Sequence, residues 1–362
     1  MARLGPFEPG PGVAIAVSGG ADSTALALLG SAWARGKGGT AVGFIVDHGI
    51  RPESAREAAC VAGRLAQLAL PARILRLSGL AKGPGLAERA REARYAALVA
   101  ACREAGMLHL LLGHHAGDQA ETVMMRALSG SGAAGLAGMA ALVELASVRL
   151  LRPLLDISPG RLRAMLRQAG MAWVEDPSNR DRTVLRTRLR AGLRDAEGSG
   201  PAVAELVEAA RQAGAMRAEE ERRIAEELAE KAEFYAVGFA LLRAARMSLG
   251  ALSMVLRMVS GGGLPPPPGV VAALAGELRS ATLVGARVIR AGALGPGWLV
   301  VREARPMRPA VPAVPGAVWD GRFQLGGEGE ARGLLGAVGN DSRRLRHLSA
   351  LPAAVLHTLP AI

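Results

Sequence analysis

The stretch Val13-Ala14-Ile15-Ala16-Val17-Ser18-Gly19-Gly20-Ala21-Asp22-Ser23 decides the reading of this 362-residue chain. Its first five residues are an apolar, β-branched run between Gly12 and Ser18, the pattern of a parallel strand buried on both faces. Residues 18–24 then read as a loop. From Ala21 or Asp22 onward, Ala25, Leu26, Leu28 and Leu29 recur at helical spacing until Gly30 and Gly36 mark an end. Strand, glycine-bearing loop and helix N-terminus, in that order, make a cradle for a phosphate. The glycines let backbone N–H groups approach the anion, the serines add donors, and the helix turns its positive end towards it. No Gly-x-x-x-x-Gly-Lys-Ser/Thr is present and no Gly-x-Gly-x-x-Gly follows a strand, so the loop is neither Walker-type nor a dinucleotide fingerprint. Asp22 places a carboxylate where phosphates would bind, which calls for a magnesium ion between them.

Working outward, residues 40–46 form a second strand ending at Asp47-His48-Gly49, and Pro52 and Glu53 open a helix that runs to about Leu68. Residues 72–77 make a third strand, 88–105 a helix, 108–112 a fourth strand ending at Gly113-His114-His115, and 118–128 another helix. Right-handed β-α-β crossovers imply a parallel sheet, whose ligands sit beyond the carboxyl ends of its strands. Three chemistry-bearing loops therefore converge on one rim. A strand at 148–151 and a helix from Ser158-Pro159 to about Gly170 follow, with Ser158 as N-cap. Residues 201–258 read as helical, and Gly261-Gly262-Gly263 with Pro265 to Pro268 break the pattern. Beyond them come a helix at 270–279 and a hairpin of 286–290 with 298–302. Residues 310–340, rich in Pro and Gly, read as loosely ordered. The expected domains are 1–195, 196–263 and 264–362.

Hydrophobic residues make up 50% and charged residues 21%, enough apolar surface for a globular chain. The longest uncharged stretch of note, 127–143, is interrupted by Gly130, Gly132, Gly135 and Gly138, whereas a bilayer span needs about 20 mostly apolar residues. With no basic and apolar leader before Ser18, a cytoplasmic address is expected and no membrane partner. The net charge of +12 favours an acidic partner such as nucleic acid. A codon bias towards Ala, Gly and Arg explains the charge equally well, so its distribution matters more. Between residues 161 and 194 nine arginines face three carboxylates. Cys60 and Cys102 support neither a disulfide framework nor a four-cysteine zinc site, and both read as buried small residues.

The loop Ser18-Gly19-Gly20-Ala21-Asp22-Ser23 resembles the SGGxDS signature of the ATP pyrophosphatase, or PP-loop, family. Further motifs narrow the resemblance: Val46-Asp47-His48-Gly49-Ile50-Arg51-Pro52-Glu53-Ser54, Gly113-His114-His115-Ala116-Gly117-Asp118-Gln119-Ala120-Glu121-Thr122, Glu175-Asp176-Pro177-Ser178-Asn179 and Arg186-Thr187-Arg188-Leu189-Arg190. Together, over about residues 13–190, they are similar to the tRNA(Ile)-lysidine synthetase family. The resemblance implies an α/β fold: a parallel-sheet PP-loop (adenine nucleotide alpha hydrolase-like) catalytic domain, then helical and small mixed C-terminal domains that bind tRNA. It implies ATP and Mg2+ as cofactors. The partners would be free lysine and a tRNA(Ile) with a CAU anticodon, whose wobble cytidine is adenylated at C2 before the lysine ε-amine displaces AMP. Either a monomer or a homodimer is compatible with it.

Carried onto this chain, the resemblance makes Asp22, His114, Asp118 and Arg186 catalytic, with Asp22 and Asp118 on the metal. Ser18, Gly19, Gly20, Ala21, Asp22, Ser23, Asp47 and Arg51 would hold the nucleotide, and Asp118, Glu121, Arg188 and Arg190 the lysine or the tRNA. Each residue has a plainer reading. His114 would cap the following helix, with His115 structural; Asp118 and Glu121 share a helix face and favour its dipole; Asp47 and Arg51 would order their loop; Arg186, Arg188 and Arg190 would form a solvated strip. Two departures stand out: the family usually shows Asp-Asp-Gln at 117–119 and Arg-Asn-Arg at 186–188. The C-terminal half resembles the family weakly, and its last domain is expected to be reduced. Rival classes are a tRNA thiolase, which needs paired cysteines absent here, a non-catalytic nucleotide-binding protein, and an amidotransferase-type synthetase acting on a small metabolite.

Overall fold

The computed structural model describes the chain except residues 51, 52, 81, 82, 176–187, 190, 191, 194, 196, 328–332 and 348. It folds into two compact units, Met1–Arg217 and Ala218–Ile362. The first contains, in order, β1 (Gly12–Ala16), α1 (Ala21–Gly36), β2 (Thr40–Asp47), α2 (Ser54–Gln67), β3 (Ala72–Arg76), α3 (Leu86–Glu104), β4 (His109–Leu111), α4 (Ala116–Leu128), α5 (Ala133–Leu136), β5 (Leu142–Glu144), β6 (Arg149–Leu151) and α6 (Pro159–Gln168). They make a six-stranded sheet in the order β3-β2-β1-β4-β6-β5, parallel except where β5 meets β6.

Alternation along the strands builds three layers. Val13 and Ile15 of β1 face a core with Leu26 of α1, Leu65 of α2 and Leu166 of α6, while Ala14 faces Phe44, Leu110 and, from α3, Leu98 and Cys102. β1 lies between β2 and β4, with Ile15 opposite Gly43 on one side and Leu111 on the other. Strand order reverses there, which opens a crevice at the carboxyl ends of β1 and β4. Ser158 caps α6 by accepting from the Arg161 N–H at 3.3 Å. Cys102 is buried and its thiol pushed up to about 12 by that burial. Cys60, expected inside, is exposed, because α2 turns Ala58, Val61 and Leu65 inward instead.

Helix α7 (Pro201–Lys231) begins in the first unit and ends in the second. The second unit continues with β7 (Ala232–Tyr235), β8 (Phe239–Leu242), α8 (Leu249–Ser260), α9 (Pro268–Ala275), β9 (Ala281–Leu283), β10 (Ala286–Arg290) and β11 (Trp298–Arg302). The strands form an antiparallel sheet, β7-β8-β11-β10-β9. The helical reading of 201–258 is thus corrected: the aromatics Phe234, Tyr235 and Phe239 around a left-handed Gly238 make a hairpin, and β8 is buried along its whole length. The 286–302 hairpin is present, with Ala286 opposite Arg302 and Arg290 opposite Trp298. One core joins Leu252 and Val255 of α8, Val271 and Leu274 of α9, and Val288 and Val300 of the sheet, so it draws on both sides of position 263.

The expected looseness of 310–340 is also corrected for the described residues there. The short strands β12 (Val311–Pro312), β13 (Val318–Trp319), β14 (Phe323–Gln324) and β15 (Leu334–Ala337) pack around a fully buried Trp319. Asp320 anchors this segment by ion pairs to Arg302 at 2.8 Å and Arg322 at 2.9 Å. α10 (Ser342–Leu345), α11 (Ala353–Thr358) and β16 (Pro360–Ala361) close the chain. Among the described residues no helix is long and apolar enough to cross a membrane.

Candidate active site

The loop after β1 is held open by its own side chains. Ser23 Oγ accepts from the Ser18 N–H at 3.2 Å and donates to the Gly20 carbonyl at 3.0 Å, while Thr24 Oγ1 donates to the same carbonyl at 2.9 Å. Gly19 has φ +90°, and a Cβ there would lie 2.5 Å from Val61 Cγ2, so only glycine fits. Its carbonyl accepts from the Val174 N–H at 2.8 Å, which brings the segment after α6 onto the loop. Gly20 is the N-cap of α1 and has no side chain to cap with. The first N–H groups of α1 are left for a ligand, at the positive end of a 16-residue helix.

Across the crevice, α4 starts with a reciprocal capping box. The Asp118 N–H donates to His115 Nδ1 at 3.3 Å, and the His115 N–H donates to Asp118 Oδ2 at 3.1 Å. Since Nδ1 accepts, the proton sits on Nε2, which lies 3.5 Å from Asp22 Oδ2 and 3.6 Å from Asp118 Oδ2. The two carboxylates on which the sequence converges thus flank one imidazole, and the histidine between them is His115 rather than His114. Burial pushes the Asp22 carboxyl above its ordinary value; His115 pulls it back, and the charge of Asp118 adds to the rise. Asp22 Oδ1 is buried without a hydrogen-bond partner. Gly117 belongs to this geometry, because a Cβ there would stand 3.0 Å from His115 Cε1.

His114 is pushed down to about 4 by burial, against the pull of Asp118 and with the charges of Arg152, Arg91 and Arg94 adding, so it is neutral near pH 7. His48, at the end of β2, is lowered by burial and by Arg94. Arg91, Arg94 and Arg152 were not singled out in the sequence; Arg91 and Arg94 lie on α3 and Arg152 just after β6, far apart in the chain. Asp47 is buried, and the Ser54 hydroxyl and the Gly49 N–H hold its carboxyl below the usual range. Glu121 is buried on α4 one turn after Asp118. Arg188 is exposed; Arg51, Arg186 and Arg190 lie outside the described residues.

A cavity of about 540 Å³ joins these parts, lined among others by Gly20, Asp22, His115, Glu121, Arg163 and Trp173. Arg163, another residue the sequence reading passed over, pairs with Glu197 at 3.1 Å and lowers Asp22 by its charge. Its only sequence signal is membership of the arginine run. Among the described residues no cluster of three or more His, Cys, Asp or Glu is arranged to hold a metal ion. Two carboxylates, one with a buried unpartnered oxygen, fit magnesium, which takes one or two carboxylates and completes its shell with substrate phosphates and water.

Residues 4–197 match the model of the PP-loop domain family. A tRNA(Ile)-lysidine synthase of Bradyrhizobium sp. is 42% identical over 304 residues, which is 83% of this chain and 79% of that protein. The enzyme of the same name from Bradyrhizobium diazoefficiens is 45% identical over 52% of each chain, and that from Hyphomonas neptunium is 38% identical over 76% of this chain and 78% of its own. The chain therefore belongs to the PP-loop domain family and, within it, to the tRNA(Ile)-lysidine synthases.

Proposed function

We propose that the rim at the carboxyl ends of β1 and β4 adenylates the wobble cytidine of a CAU-anticodon tRNA(Ile) with ATP and joins free lysine to its C2, in the cytoplasm, releasing AMP and pyrophosphate. The observation that carries this reading is the pair Asp22 and Asp118, flanking His115 Nε2 beside the uncapped N-terminus of α1. In the first step the cytidine O2 attacks the α-phosphorus and pyrophosphate leaves. The free N–H groups of α1 and the charge of Arg163 stabilise the anion that departs. Magnesium, held by Asp22 and Asp118, would neutralise phosphate charge and align the α-phosphate. In the second step the lysine ε-nitrogen bonds to C2 and the C2–O2 bond breaks, with O2 leaving on AMP. Asp118 and the buried Glu121 hold the ammonium in place, and one of these carboxylates takes its proton. The arginine run at 161–194 and the net charge of +12 suit an RNA partner.

The test is the fate of α-labelled ATP incubated with the protein, magnesium, lysine and a tRNA(Ile) transcript. AMP is expected, formed only when the transcript is present and in a one-to-one ratio with pyrophosphate. Release of ADP, or AMP formation indifferent to the transcript, would overturn the reading.

A further inference from the structure

The reaction proposed above makes a demand that Asp22, Asp118 and the loop after β1 do not meet. For the cytidine O2 to reach the α-phosphorus, the base must leave the anticodon stack and enter the site, and the lost stacking has to be replaced there. Aromatic rings and guanidinium planes are the side chains that replace it. Aromatics are scarce in this chain, at 3% with four tryptophans, so the place of each one is informative. Trp298 and Trp319 are buried within the second unit, and Trp33 packs edge-on against Phe7 with 4.7 Å between ring centroids. Trp173 is different. It is half-buried, and it is the only Phe, Tyr or Trp among the described residues that line the cavity of about 540 Å³ bordered by Asp22, His115 and Glu121.

What holds the ring there is local. One residue on, the Val174 N–H donates to the Gly19 carbonyl at 2.8 Å, which ties the backbone beside Trp173 to the loop after β1. Part of the indole rests, with Met171, against the core of the first unit. Arg167, in the last turn of α6, places its guanidinium carbon 6.0 Å from the ring centroid, a cation–π contact between two residues that both line the cavity. The cavity thus offers Gly20 at the start of α1 for phosphate, and Asp22 and Glu121 for a cation or an amine. Trp173 with Arg167 is the flat wall left for a base.

We propose that the Trp173 indole is the platform on which the extruded wobble cytosine stacks, with Arg167 alongside the ring. The proposal rests on the tRNA reading given above and adds to it the residue that seats the reacting base. Stacking accepts any base, so Trp173 contributes affinity and placement and not the choice of cytosine.

The experiment crosses variants of Trp173 with two RNAs, a CAU-anticodon tRNA(Ile) transcript and the same transcript with an abasic wobble position. Kd is measured for each pairing with magnesium and a non-hydrolysable ATP analogue present, so that the coupling between ring and base is isolated. The wild type is expected to bind the CAU transcript about tenfold more tightly than the abasic one. Trp173→Ala and Trp173→Leu, of which the second still fills the core, should bind both RNAs alike, whereas Trp173→Phe should keep most of the preference. Thermal unfolding checks that each variant is folded, and KM for ATP and for lysine should stay at the wild-type value. Equal losses for both RNAs in the variants would make the ring a structural element and overturn the platform. So would a wild type indifferent to the wobble base, or a preference that Trp173→Leu retains. A tenfold rise in KM for ATP with the base preference intact would put the adenine on the ring, and the same rise for lysine would put its methylenes there; either overturns the cytosine as occupant. If the wild-type chain binds neither RNA, it is the function reading that fails.

Discussion

Two aspartates, one in each unit, sit in opposite electrostatic conditions. Asp320 is fully buried and saturated: Arg302 grips both its oxygens at 2.8 and 2.9 Å, Arg322 donates at 2.9 Å, and the Arg308 N–H adds a fourth bond at 3.0 Å. Although burial works upward, these partners hold its carboxyl below the ordinary value. Asp22 has a like charge in Asp118, an imidazole standing between the two, and an oxygen with no partner, and its carboxyl is raised. A polar cluster that satisfies itself holds a fold together. One that does not is kept for a ligand, and the rest of the structure bears its cost.

The difference can be broken from either side. Asp118→Ala should reduce lysine transfer on the order of a thousandfold while leaving tRNA bound, because it removes one of two carboxylates at the reacting centre; steady-state kinetics with a binding assay would show it. Asp320→Ala should leave two buried guanidinium groups uncompensated and cost about 3–5 kcal/mol of stability, read by denaturant unfolding. Asp22→Asn should do the reverse to the ligand-free protein. A raised carboxyl contributes its stability below the ordinary value of 3.8 and loses it as pH rises through the raised one, so at pH 7 the amide should raise Tm. That gain should vanish in acid, and magnesium with ATP should raise the wild-type Tm but not that of the variant. Asp320, being lowered, has the opposite sign: its stability is present above the ordinary carboxylate value and is lost as pH falls through the lowered one. The smallest effect expected is that of Gly117→Ala, whose Cβ presses on His115 and should cost about 1 kcal/mol of α4 capping, visible as a modest loss of Tm.

The parallel sheet was legible because its signals are local: β-branched runs, glycines at strand ends and helical spacing all agree over residues 12–128. The carboxylates Asp22 and Asp118 were legible for the same reason, each lying within a motif. What stayed hidden depends on contacts across the chain. Nothing in Gly113-His114-His115 tells which ring stands between the carboxylates; that is settled when Asp118 closes the capping box on His115. The Arg302 to Asp320 pairing spans 18 residues of apparent loop, and it is what orders a segment that reads as loose. The β7–β8 hairpin was lost inside a long helical reading because Ala and Leu suit both structures, and burial against β11 decided between them.

The measurement that tests the central claim most directly is nucleoside analysis of a CAU-anticodon tRNA(Ile) transcript after incubation with the chain, ATP, magnesium and labelled lysine. The account predicts one lysidine per tRNA at the wobble position, absent with Asp118→Ala. Labelled lysine that never enters the RNA, under conditions where the transcript is bound and ATP is cleaved to AMP, would contradict it.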